Sequence, residues 1–302
     1  MKILITGATG LVGKNLIKKL LHKSYKINFL TTQKNKEKSI EGCTGFYWNP
    51  YKGIIDLKAF HGVTHVINLA GESISKPWTR KYKIKLIQSR VLSSQIIYNS
   101  LVDLNHKLEC IISASAIGYY PSSEDLIFNE LNIYNPENFL QKVVNKWEHS
   151  IDELEIHSKR LVKLRIGLVL SGKGGFLSKL VTPIKFGIGS SFGSGKQLQS
   201  WIHIEDLSNL ILHTIDNNLN GIFNAVSPNP IPQSELVKLL GKRLKRSIFL
   251  PNIPARIVKI ILGERSQLLL DSHNISSNKV INSGFKFNFE KFDKAIADLK
   301  LN

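Results

Sequence analysis

Apolar positions along the chain alternate between two textures: short continuous runs, and longer stretches with helical spacing. KILIT, residues 2–6, is an apolar run that ends in Thr-Gly, which predicts a buried strand. The following GLVGKNLIKKLLHK carries Leu16, Ile17, Leu20 and Leu21 on one helical face, which predicts an amphipathic helix. KINFLTT, THVINLAG, LECIISASA, RLVKLRIGLVL and GIFNAVSP read as further strands. TRKYKIKLIQSRVLSSQIIYNSL and NPENFLQKVVNKWEHSIDEL read as helices between them. Repeated strand–helix–strand order predicts a parallel sheet with right-handed crossovers and helices on both faces. The expected fold class is therefore α/β, a Rossmann-type doubly wound sheet.

The texture changes after Leu170. SGKGGFLSKLVTPIKFGIGSSFGSGKQ is rich in Gly, Ser and Lys and predicts an excursion over 171–206 toward a ligand. WIHIEDLSNLILHTIDN returns to helix, with Asp206 expected as the cap at its start. The tail from Pro230 consists of helical pieces separated by prolines.

Composition narrows the classes. The 302 residues are 42% hydrophobic and 21% charged, as in an ordinary globular chain. No apolar run of 18 residues predicts a membrane span, and glycines within the first ten residues leave no signal-peptide core. Cys43 and Cys110 sit in apolar contexts and read as reduced core residues, so a cytoplasmic location is expected and no membrane partner. The net charge of +18 raises nucleic acid as a partner. Basic residues are spread along the chain without interleaved aromatics, so nucleic acid is not expected. The densest basic cluster, GKRLKR from Gly241, reads as the exposed end of a helix. No Cys/His spacing predicts a metal.

ITGATGLVGKNL carries the sharpest chemistry. Gly7, Gly10 and Gly13 follow a strand and open a helix. Gly7 permits a tight turn, Gly10 lets backbone amides approach a pyrophosphate, and Gly13 lets helix and strand pack closely. Thr9, Leu11 and Val12 lie between these glycines and join them as cofactor-binding candidates. A dinucleotide's ribose is often held by an acid about 20 residues later. Here residues 30–34 read Leu-Thr-Thr-Gln-Lys, with no acid before Glu37. Thr31 and Thr32 can donate hydrogen bonds, and Lys34 and Lys36 can face a 2′-phosphate, which favours NADP (NADPH) over NAD. Leu69, Ala70 and Gly71 end another strand, where small residues let backbone lie beside the nicotinamide half.

TGATGLVG, NLAG and SASAIGYY in this order resemble an extended short-chain dehydrogenase/reductase of the epimerase/dehydratase type. INLAGESI, KWE, LRIGLVLSGKGG, GIGSSFGSGKQ, WIHIEDL, LGERSQLLL and SGFKF narrow the resemblance to the atypical epimerase-like subfamily. It implies an NAD(P)-binding epimerase/dehydratase-type Rossmann domain over 1–225. It also implies a smaller C-terminal α+β substrate lobe, with a small domain of unknown role over 249–298. The activity implied is NADP-dependent oxidoreductase or epimerase chemistry on an unknown small substrate. Extended members dimerise through the helices near 84–102 and 137–155, so a homodimer is expected. Some members carry a cell-division label, for which this chain shows no motif.

In the superfamily a Tyr moves a proton, a Lys four residues later holds the ribose, and a Ser orients the substrate oxygen. Ser115 matches that Ser, with Ser113 the nearby alternative and a cofactor-binding candidate. Counting back from Glu148, which usually follows the Lys by four, gives Val144 and Leu140, and neither transfers a proton. Lys142 and Lys146 point about 200° away from Val144 around the helix. Tyr119 is the remaining catalytic candidate, with Tyr120 beside it. Arg90 and Arg165 match family positions. Arg90 is a candidate for cofactor phosphate or ribose, and either Arg could instead be a structural ion-pair partner. His203 could act as acid or base or pack in the core. The missing Tyr-Lys pair leaves a second reading open, a cofactor-binding regulator or sensor acting through a protein partner.

Overall fold

The computed structural model describes residues 1–301. Its strands are β1 (Lys2–Thr6), β2 (Lys26–Thr31), β3 (Cys43–Asn49), β4 (Ile54–Ile55), β5 (His65–Asn68), β6 (Cys110–Ala116) and β7 (Ile127–Phe128). They continue with β8 (Leu161–Ile166), β9 (Leu168–Leu170), β10 (Leu198–Gln199), β11 (Trp201–His203), β12 (Gly221–Ala225), β13 (Ile231–Pro232) and β14 (Asn274–Ile275). Eight of them form one sheet in the order β12-β8-β6-β5-β1-β2-β3-β4. β1 pairs parallel with β2 and β5, and β5 with β6, so Ile3 lies between Ile27 and His65 and Asn68 opposite Ser113. Ile3, Leu4 and Ile5 have no exposed surface, because both faces of a central parallel strand are covered. β4 turns back antiparallel on β3, Trp48 opposite Ile55.

The main helices are α1 (Leu11–His22), α2 (Arg80–Asp103), α3 (Phe139–Asp152), α4 (Phe176–Lys185), α5 (Ile204–Asp216), α6 (Gln233–Arg243) and α7 (Ala255–Leu262). α2 starts where the Thr79 hydroxyl accepts the Tyr82 amide, which satisfies one of the free N–H groups of its first turn. None of the described helices is long and apolar enough to cross a membrane.

The chain forms two compact units that divide it across the sequence. One comprises Met1–Ala116, Lys142–Arg165 and Ser208–Phe223; the other comprises Ile117–Gln141, Ile166–Leu207 and the chain from Asn224 onward. The first holds most of the large sheet. The second packs around Leu170, Trp201, Leu236, Leu240, Phe292 and Ile296, with the Trp201 and Phe292 rings edge to face at 5.5 Å.

Two local readings of the sequence are corrected here. RLVKLRIGLVL is two strands: β9 leaves the direction of β8 at Gly167 and pairs with β11. A Cβ at Gly167 would stand 2.6 Å from the Ser200 carbonyl oxygen, so only glycine admits that approach. Asp206 lies inside the first turn of α5 and does not cap it. Its two oxygens accept the amides of Asn288 and Phe289 at 3.0 and 2.9 Å and so fix a distant loop of the same unit.

Candidate functional site: a dinucleotide cradle and a closed serine

At the end of β1 the chain turns with Gly7 at φ +67°, a conformation that favours glycine. A Cβ there would meet the Leu69 carbonyl oxygen at 2.6 Å, and one at Gly13 would meet the Gly7 carbonyl oxygen at 2.4 Å. α1 begins at Gly10, which has no side chain to cap it. The first amides of the helix, on Leu11, Val12 and Gly13, therefore have no intrahelical acceptor and no side-chain one. Such an end favours an anion through both its amides and the helix dipole.

Thr6 connects this turn to the next strand. Its hydroxyl donates to Asn68 Oδ1 at 2.6 Å and accepts the amides of Leu69 and Ala70 at 3.0 and 3.1 Å. No local pattern singles out Thr6, because its role depends on a strand 62 residues away.

A cavity of about 220 Å³ opens along these strand ends. Gly7, Thr9, Thr31, Thr32, Ala70 and Gly71 line it. Leu30, Gln33, Lys36, Trp48, Pro50, Tyr51, Glu72 and Ser89 complete the lining. Thr31 is buried and its hydroxyl accepts the Gln33 amide at 3.3 Å, while Thr32 is exposed at the mouth. Lys36 lines the cavity, whereas Lys34 lies over the Tyr47 ring at 5.1 Å. These contours suit the adenosine half of a dinucleotide: aromatic and apolar walls, hydroxyls and a cation, with Glu72 the one carboxylate in the lining.

Arg90 stands behind this cavity rather than in its wall. Its guanidinium donates to the Leu86 and Glu72 carbonyls at 2.9 and 3.1 Å and lies 5.0 Å from the Trp147 ring centre. A Cβ on Gly71 would come within 3.2 Å of it. Burial pushes Arg90 down to about 10, against the weaker opposing pull of Tyr82 and of the Glu72 carboxylate, which is itself bonded to Lys85 at 2.7 Å. Arg90 therefore braces the Gly71–Glu72 turn. Ser113 is also away from the cavity, fully buried, with its hydroxyl on the Ala114 carbonyl at 3.3 Å.

Ser115 is closed off by its partners. Its hydroxyl donates to Glu148 Oε1 at 2.6 Å. Arg165 donates to both oxygens of the same carboxylate, Nε at 2.8 Å and Nη2 at 2.9 Å. Ser115, Glu148 and Arg165 are 2%, 5% and 2% exposed. Burial raises the Glu148 carboxyl, but the Arg165 fork and charge and the Ser115 hydroxyl outweigh it and hold the group below the usual carboxylate range. Lys163 extends the network, 3.9 Å from Glu148 and 2.6 Å from Asp152. A serine has one O–H. With that proton on Glu148, Ser115 can only accept a hydrogen bond from any further group.

On α3, Val143, Val144 and Trp147 are buried, and Lys142 and Lys146 are exposed. Helical geometry thus directs both lysines to solvent. Tyr119 and Tyr120 belong to the other compact unit. The Tyr120 hydroxyl donates to Asn224 Oδ1 at 2.8 Å, and Tyr119 Oη accepts the Tyr134 amide at 3.5 Å. In that unit His203 is fully enclosed, its ring 4.0 Å from Phe289 and its Nε2 3.5 Å from Asp298.

Comparisons with known proteins agree with this arrangement. The profile of the NAD dependent epimerase/dehydratase family matches residues 3–142, and a domain of unknown function matches 253–299. An epimerase family protein of Staphylococcus haemolyticus is 35% identical over 302 residues, covering 99% of this chain and 98% of its own. One from Staphylococcus aureus strain N315 is also 35% identical, covering 98% of each. Among solved structures, the human epimerase family protein SDR39U1 with NADPH superposes with a TM-score of 0.85 at 23% identity, over 99% of both chains. A nucleoside-diphosphate sugar epimerase from Corynebacterium glutamicum gives 0.79 at 27% identity, over 98% of this chain and 57% of that one. With a glycine cradle, an eight-stranded Rossmann-type sheet and end-to-end relatives, this chain belongs to the NAD-dependent epimerase/dehydratase family.

Proposed function

We propose that the chain binds NADPH in preference to NADH and acts as an oxidoreductase or epimerase-like enzyme on a small carbonyl or alcohol. The observation that carries the cofactor reading is the wall of the cavity at the end of β2. Thr32, Gln33 and Lys36 occupy the place where an acid would hold the ribose of NAD. The human relative crystallised with NADPH supports it, although fold neighbours such as the UDP-glucose 4-epimerase of Thermus thermophilus hold NAD. The amides of Leu11, Val12 and Gly13 would face the pyrophosphate, and Lys36 the 2′-phosphate. Bound there, the nicotinamide supplies or accepts a hydride. Ser115, whose proton is committed to Glu148, would orient a substrate hydroxyl by accepting from it. Tyr119 is assigned to proton transfer, because Tyr120 is buried with its hydroxyl on Asn224.

The apolar pair Leu140 and Val144, together with the closed Ser115, favours a second reading: a cofactor-binding sensor that acts through a protein partner. Fluorescence titration with NADPH and NADH, followed by a panel of aldehydes, ketones and sugar nucleotides, separates the readings. Tighter NADPH binding with turnover supports the enzyme. Tight binding with no turnover supports the sensor. Equal affinity for the two cofactors sinks the NADP preference, and binding of neither sinks both readings.

A further inference from the structure

The second unit carries an apolar surface inverted relative to a normal helix. On α7, Val258 is buried, while Ile260 and Ile261 are 83% and 69% exposed and Ile257 shares their face. The preceding loop exposes Phe249 (73%) and Leu250. The adjoining loop exposes Phe186 (80%) and Ile188. The two loops are joined: the Ile253 amide donates to the Ser191 carbonyl at 2.8 Å, the Gly193 amide to Ile253 at 2.9 Å, and the Ser190 hydroxyl to Pro251 at 2.6 Å. An exposed apolar patch of this kind marks an interaction surface.

Its surroundings indicate the occupant. Lys242, Arg243, Lys245 and Arg246 precede the patch, and Arg256, Lys259 and Arg265 lie on or after α7; Glu264 is the one acid in 242–265. A second copy would bring the same basic rim against itself in a chain of net charge +18. Nucleic acid could stack on Phe186 and Phe249 but would leave the five aliphatic side chains of the patch, Ile260 and Ile261 among them, without an apolar partner. An anionic lipid surface satisfies both features: phosphates meet the rim, and protruding Ile and Phe enter the acyl boundary. The loop backbone suits that environment. Pro251 and Pro254 have no amide to bury, and the Ile253 amide and carbonyl and the Pro251 carbonyl are already paired.

We propose that the α7 face and its two flanking loops dock the protein on an anionic lipid surface. This departs from the expectation drawn from hydropathy alone, because the seven apolar residues fall in three short segments and make no run long enough to span a membrane. It does not depend on the cofactor reading, since no residue of the patch lines the dinucleotide cavity.

The test is co-sedimentation of the full chain with phosphatidylcholine vesicles containing or lacking phosphatidylglycerol. Wild type is expected to pellet with the anionic vesicles and not the neutral ones. Ile260→Asp/Ile261→Asp is expected to lower that binding about tenfold or more, and Arg256→Glu/Lys259→Glu to lower it and flatten its salt dependence. Phe249→Ser repeats the apolar test outside the helix should the double variant melt early in circular dichroism. No binding to anionic vesicles overturns the proposal. So does binding that salt abolishes but neither apolar variant changes, which would reflect net charge alone. Loss of a dimer in light scattering with unchanged vesicle binding also overturns it and assigns the face to a protein contact.

Discussion

The ends of β1 and β6 lie at the same edge of one sheet and treat their polar groups in opposite ways. At β1 the chain leaves amides open: Gly7 turns the backbone, Gly10 offers no capping side chain, and α1 begins with unpaired N–H groups. At β6 every strong group is matched: Ser115 donates to Glu148, and Arg165 grips the same carboxylate with two bonds. An open donor set is stable only beside water or a ligand, and a closed buried set is stable by itself. The first end suits an anion, and the second holds three elements together.

The comparison can be broken most severely at the closed end. Glu148→Gln should cost about 3–5 kcal/mol in urea unfolding, since it leaves the Arg165 charge buried without a carboxylate. Ser115→Ala should cost about 1–2 kcal/mol, because it removes one bond and leaves the ion pair intact. Glu148→Leu/Arg165→Met should recover most of the loss; a double variant as unstable as Glu148→Gln would refute the buried-charge explanation. At the open end, Gly7→Ala imposes a left-handed alanine and a contact with Leu69, about 1–3 kcal/mol. It should also weaken NADPH by about tenfold or more in a fluorescence titration. If NADPH affinity survives while stability falls, the turn does not shape the cradle.

Thr32→Asp sharpens the comparison within the cradle. It should weaken NADPH several-fold, about 1 kcal/mol, and leave NADH unchanged or improved. Equal losses would show that the end of β2 does not choose the cofactor. The smallest effect lies at the opposite end of β5. Burial holds His65 down at about 4. The unfolded chain takes up this proton near pH 6.5 and the folded chain only near 4, so this group's contribution to stability falls as pH drops through that window. His65→Gln should flatten the decline of Tm between about pH 6.5 and 4 without altering NADPH affinity. A changed affinity would mean that the two edges of the sheet are coupled.

The glycine turn and the strand–helix alternation were legible because both are local: spacing within a dozen residues determines them. β3 was not. Only Trp48 of its seven residues is buried, so it presents neither an apolar run nor clean alternation. With β3 and the turn after it unread, Trp48 and Tyr51, two walls of the cavity, were not legible either. Glu148 was visible as a position in a family pattern, but its function was not. Its partners Ser115 and Arg165 lie 33 residues before and 17 after it, and only the fold brings them together. Arg90 could be read as a ligand contact or a brace from its position alone. The carbonyls of Leu86 and Glu72 and the Trp147 ring make it a brace.

The crossed threading of the two compact units has a consequence for how the protein is made. The cradle uses only the first 116 residues, so its strands can pair while most of the chain is still on the ribosome. The sheet is not complete at its other edge until β8 and β12 have emerged, and Phe223 is the last residue of the first unit. During that interval β6 has one neighbour, and Glu148 must wait for Arg165 to neutralise it. A nascent chain stalled before Arg165 would expose a strand edge beside an unmatched acid. Translation pauses in that stretch should therefore favour chaperone capture, whereas pauses after Phe223 should not.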